Sequence, residues 1–175
     1  MNERNLRVLE FSKIREMMAA LATTEMGRTC CRELVPSSDP AEVRRRQAET
    51  EEASTVLAYN GSNPMAWFTD VREYLKRAHV GSTLSQKALL SVADALKAAR
   101  VVRSALVTDR EDTPFLTEMG SRLSTNRQLE EDIFNAILSE DEISDHASPE
   151  LYEIRRQMRV LNDRVRDKLN GIIRS

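Results

Sequence analysis

The side chains that could do chemistry are few and scattered. The two histidines, His79 and His146, lie far apart, and the two cysteines, Cys30 and Cys31, are neighbours. A zinc site would need these residues to converge from separate segments, and no ligand spacing supports that. A bridge between adjacent cysteines is strained and the spacing is not C-x-x-C, so two buried or half-buried free thiols are expected, consistent with a reducing compartment. The carboxylate pairs Glu51-Glu52 and Glu130-Glu131 are adjacent on predicted helices. Neighbouring helical residues diverge by roughly 100°, so such pairs suit solvent better than a shared proton. There is no Gly-Lys pair for a P-loop, no G-x-G for a dinucleotide fingerprint and no G-x-S-x-G elbow. The acidic stretch near Asp141 lacks the spacing and glycine of a calcium loop. The expectation is a chain that by itself is not an enzyme and holds no cofactor or metal.

The remaining candidates are basic. Arg155, Arg156, Arg159 and Arg164, with Arg166 and Lys168, could track phosphates. The competing reading makes them the solvated flank of a helix seam, partnered by Glu150, Glu153, Asp163 and Asp167. No aromatic residue interleaves them as a single-strand platform requires. The same segment carries an apolar ladder at Leu151, Ile154, Met158, Leu161, Val165, Leu169 and Ile172. This is a heptad seam with one slip between Val165 and Leu169. Ser148-Pro149-Glu150 opens this helix and no stop signal precedes Ser175. Over residues 149–175 it would be about 40 Å long, and the running pattern suggests a helix cut before its end.

The elements positioning these residues read as helices. Ser12, Thr24, Asp39 and Ser85 are candidate caps, for helices over 13–22, 25–34, 40–59 and 86–107. Asp39-Pro40-Ala41-Glu42 and Thr125 with Gln128 look like capping boxes, and Thr113-Pro114 restarts the chain. The helix over 86–107 is apolar around most of its circumference, so it is expected to be central. The helix over 40–59 has a thin apolar side. A short helix over 71–78 follows the turn cluster Asn60-Gly61-Ser62-Asn63-Pro64. Trp67, Phe68 and Tyr74 are expected as core anchors, and Met17, Met18, Met119 and Met158 as packing residues. Residues 138–146 read as a loop or a small β-ribbon. The fold class expected is all-α, with a helical core domain over 1–147 and the start of a long lever or clamp helix over 148–175.

Composition agrees. The chain has 175 residues, 41% hydrophobic, 31% charged and 5% aromatic, with 5 glycines and a net charge of −2. That excludes collagen-like, low-complexity and disordered chains. Apolar runs are too short to span a bilayer, and Arg7, Glu10 and Lys13 break any signal-peptide core, leaving a cytoplasmic protein as the expectation. Charge is uneven: residues 72–103 hold seven bases against two acids, and residues 109–145 eleven acids against three bases.

Three stretches resemble the N-terminal region of the bacterial MutS-two family, paralogues of the mismatch-repair ATPase MutS. The first is Leu6-Arg7-Val8-Leu9-Glu10-Phe11-Ser12-Lys13-Ile14 with Leu34-Val35-Pro36-Ser37-Ser38-Asp39 and Glu49-Thr50-Glu51-Glu52-Ala53. The second is Asp70-Val71-Arg72, Leu75-Lys76-Arg77-Ala78, Gly81 and Leu84. The third is Ile143-Ser144-Asp145-His146-Ala147-Ser148-Pro149-Glu150-Leu151, continuing into Ile154-Arg155-Arg156. One departure is that Asp141-Glu142-Ile143 lacks the glycine of the family's Asp-Gly-Glu-Ile turn. The resemblance implies a helical core resembling MutS domain III and the outgoing lever, with a clamp, an ATP- and magnesium-binding head and usually a Smr nuclease elsewhere in the parent. It implies DNA repair and recombination functions on branched DNA, a possible role on ribosomal RNA at stalled ribosomes, a homodimer, and the rest of the polypeptide as partner, with no membrane. A free-standing helical dimerisation module is the alternative.

Overall fold

Helix boundaries follow local capping chemistry, satisfied in several places by a different group from the expected one. The computed structural model describes residues 3–173. Among the described residues the chain forms nine helices: α1 (Glu3–Val8), α2 (Phe11–Leu21), α3 (Glu25–Arg32), α4 (Pro40–Asn60), α5 (Arg72–His79), α6 (Gln86–Leu106), α7 (Pro114–Ser121), α8 (Arg127–Ala136) and α9 (Pro149–Ile173). The class is all-α. The stretch of the last helix expected beyond Ile173 lies outside the described residues.

Thr24, Asp39 and Ser85 cap as expected, accepting from the backbone N–H of Gly27 at 3.1 Å, Ala41 at 3.0 Å and Ala88 at 3.3 Å. Ser12 does not cap. The helix begins two residues earlier, after Glu10 turns the chain with φ 52°, and α1 precedes it. The box at Thr125 is replaced by Asn126, whose side chain accepts from Leu129 N at 3.1 Å. Glu42 does not reach back to its cap; it takes the Ser37 hydroxyl and Arg46, while Ser37 Oγ accepts from Asp39 N.

Thr113 gives α7 no side-chain cap. Instead the buried carboxylate of Glu52, on α4, accepts from Phe115 N at 3.3 Å and Leu116 N at 2.9 Å. A distant helix thus satisfies the orphan donors that a local side chain leaves open. Gly120 lets α7 approach the end of α6: a Cβ there would lie 2.7 Å from Leu106 Cβ. The Thr117 hydroxyl donates to Leu106 O at 3.1 Å.

The central helix is α6, which packs on α8, α7 and α4. Val92 and Ala93 meet Ile133 and Ile137 in the core, with Val71, Tyr74, Leu89, Leu90, Leu96 and Phe134 around them. Arg100 forks onto the buried Glu130 at 2.9 and 2.7 Å, tying α6 to α8. On α4 only Glu52 and Val56 are buried, matching its thin apolar side. At the other end α2 packs on α3, and Arg15 donates to Arg32 O at 2.9 Å.

Several expected packing residues are on the surface. Trp67 is 66% exposed, so of the aromatic anchors only Tyr74 joins the core, with Phe68 half-buried. Met17, Met18, Met119 and Met158 are all exposed. The helix α2 turns its apolar stripe of Ile14, Met17, Met18 and Leu21 outward and buries only Ala19. Cys30 is exposed and Cys31 half-buried, and neither is bridged.

Candidate functional site

The feature that most resembles a working part is the place where α9 leaves the body. It starts with α8, whose last turn runs into an antiparallel bridge between Ile137 and Ile143. Leu138 N donates to Glu142 O at 2.9 Å and Ser144 N to Ala136 O at 2.9 Å. The ribbon expected over 138–146 is therefore a single bridge. Its turn closes without glycine: Glu142 N donates to Ser139 O at 3.3 Å, and no residue in it has positive φ. Ile137 and Ser144 are buried, so the ribbon is fixed to the core.

From that fixed point the chain turns into α9 through a set of short-range bonds. The Ser144 hydroxyl accepts from His146 N at 3.2 Å, and the Ser148 hydroxyl caps α9 by accepting from Leu151 N at 3.1 Å. The rings of His146 and Tyr152 stack at 5.5 Å. Arg155, one turn further, donates through Nη1 to Ile143 O at 2.8 Å and to the Asp145 carboxylate. Arg159 Nη1 lies 3.2 Å from the other oxygen of Asp145. The Arg155 hydrogen bond, against a smaller opposing effect of burial, holds the Asp145 carboxyl below the usual carboxylate range, with Arg159 assisting.

Beyond this root α9 stands clear. From Arg156 to Asn170 every residue is exposed. Of the predicted seam, Leu151 is half-buried, while Ile154, Met158, Leu161, Val165, Leu169 and Ile172 are 54–70% exposed. The four arginines separate. Arg155 and Arg159 belong to the root. Arg156 pairs only with Glu153 on its own helix, at 3.5 Å, and Arg164 has no ion pair among the described residues. The acids expected as partners, Asp163 and Asp167, likewise make no ion pair among the described residues. Asp145 was visible only as one letter of a matching stretch; its ten-residue separation from Arg155 carries no helical signal, so the pairing was missed. Among the described residues no three His, Cys, Asp or Glu side chains stand close enough to hold a metal ion. No helix among them is long and apolar enough to cross a membrane.

These features define an all-helical scaffold from which one long amphipathic helix projects on an ionic root. The chain matches no family model. It is 42% identical over 178 residues to Endonuclease MutS2 of Acetivibrio thermocellus, 41% over 177 to that of Alkaliphilus oremlandii and 38% over 178 to that of Clostridioides difficile. In each case the match takes in 100% of this chain and 22% of the relative. Over its whole length the chain is similar to the N-terminal region of these MutS2 proteins. It spans about a fifth of the length of the curated relatives it matches.

Proposed function

We propose that this chain is the helical core and outgoing lever of a MutS2-type DNA-acting protein, joining an ATPase head to a nucleic-acid clamp. The observation that supports this reading is α9 itself: a 25-residue helix, about 37 Å long, rooted at one end and carrying an exposed apolar seam. An exposed stripe of that length calls for a partner surface, and a returning helix of the same polypeptide would supply it. The mechanism is mechanical. Nucleotide-driven movement of the head is carried through the α4, α6, α7 and α8 body to α9, which opens or closes the clamp. In this reading the parent is a cytoplasmic homodimer that binds ATP and magnesium outside these residues. It restrains recombination by acting on branched DNA, with stalled ribosomes as a second target. Arg156 and Arg164 are the bases best placed to meet phosphate.

The test uses an intact protein that carries these residues. Replacing Leu161 and Val165 together by aspartate is expected to abolish the stimulation of ATP turnover by branched DNA while basal turnover persists. Undiminished stimulation refutes the coupling role.

A further inference from the structure

We propose that Asp145 is the pivot that sets the direction in which α9 leaves the body, acting as a positioning residue through its grip on Arg155 and Arg159. The functional weight of this pivot rests on the lever reading above; its structural content does not.

Three observations carry it. First, α9 is held at one end only. It is absent from the packed helix pairs that build the body, and all residues from Arg156 to Asn170 are exposed. Its direction is therefore set by what happens between Ser144 and Arg159. Second, that segment joins a fixed part to a free part. Ser144 is buried and bonded to Ala136 O at 2.9 Å, so the ribbon side cannot shift without opening the core. Third, the bonds across the joint converge on one carboxylate. Arg155 donates to Asp145 and to Ile143 O at 2.8 Å, and Arg159, a turn further along α9, takes the other carboxylate oxygen at 3.2 Å. One bond at the joint would leave α9 free to rotate about it. Two arginines on successive turns, both tied to one side chain, fix a direction as well as a point. A planar guanidinium with a second acceptor adds to that fixity.

The side chains of Asp145 and Arg155 are 33% and 35% exposed. At that depth an ion pair contributes little to global stability, so loss of the pivot should change geometry far more than melting. That difference separates a positioning residue from a merely stabilising one.

The experiment measures spin-label distances between exposed Ser104 on α6 and exposed Asn162 on α9, with Cys30 and Cys31 replaced by serine. In the otherwise native chain a single narrow distribution is expected. Asp145→Asn should at least double its width with little change in helical content or Tm. Arg159→Gln, at a mostly exposed position, should give an intermediate broadening and serves if Asp145→Asn does not fold. Arg156→Gln, whose partner is on its own helix, should leave the width unchanged. Unaltered widths in both Asp145→Asn and Arg159→Gln overturn the pivot, as does equal broadening by Arg156→Gln. A broadened distribution with DNA-stimulated ATP turnover intact in the whole protein upholds the pivot and sinks the lever reading instead.

Discussion

The carboxylate of Glu52 is the most exacting place to test how this fold is held. It is 7% exposed and accepts from two backbone N–H groups at the start of α7, 63 and 64 residues away in sequence. Glu52→Ala removes both acceptors and leaves the Leu116 donor buried and the Phe115 donor part-buried, beside Thr113, which is 1% exposed. A hydrogen bond to a charged group contributes about 1.5–3 kcal/mol, and a lost helix cap alone costs about 1 kcal/mol. The two bonds share one carboxylate and one helix end, so they do not add in full, and about 2–4 kcal/mol is expected for the alanine variant. Glu52→Gln keeps one acceptor oxygen but loses the charge that suits a helix N-terminus, for about 1–2 kcal/mol. At about 2–4 °C per kcal/mol for a chain of this size, Glu52→Ala should lower Tm by roughly 4–16 °C. Circular dichroism during thermal and urea unfolding measures this. Hydrogen exchange gives the local reading: the Phe115 and Leu116 amides should lose protection before those of α6. An alanine variant as stable as the parent, with both amides still protected, would show that α7 is fixed by packing alone.

Two further perturbations address the joints of α6. The Arg100 fork, against an opposing effect of burial, holds the Glu130 carboxyl below the usual range for glutamate. The stabilisation is therefore full above the ordinary glutamate pKa and is lost as pH falls through the lower, folded-state pKa. Glu130→Gln should cost about 1–2 kcal/mol at neutral pH, the exposed side of Arg100 moderating the loss. Urea midpoints of the two proteins should converge on acidification, and a gap that persists at the acid end would exclude the linkage. Gly120→Ala, which helix propensity alone would favour, should instead lower Tm, because the new Cβ meets Leu106 Cβ at 2.7 Å and Val107 Cγ2 at 3.0 Å. The expected cost is about 1–3 kcal/mol; a raised Tm would mean that the two helices separate without penalty.

Local signals in the sequence located the helices well. Proline and capping residues around Asp39, Ser85 and Ser148 act within a few residues, and the structure uses them at those positions. The apolar circumference of α6 likewise announced its central place. What periodicity could not supply is which stripe finds a partner. Ile14, Met17, Met18 and Leu21 have the spacing of a core-facing helix, yet they are exposed although α2 packs on α3, and the buried residue of α2 is Ala19. Glu52 read as half of a solvated pair because only tertiary structure brings α7's open N-terminus to it. The four arginines of α9 looked equivalent in sequence, and the ribbon divides them by claiming Arg155 and Arg159 through Asp145.

Among the described residues nine apolar side chains are buried, and four of them, Ala19, Ala88, Ala93 and Ala98, are alanines. Such an interior brings helix backbones close together with little side-chain cushion between them. Bulky residues can absorb a push by changing rotamer, whereas alanine has none to change. Displacement at one end of α6 should thus reach its neighbours as movement of whole helices.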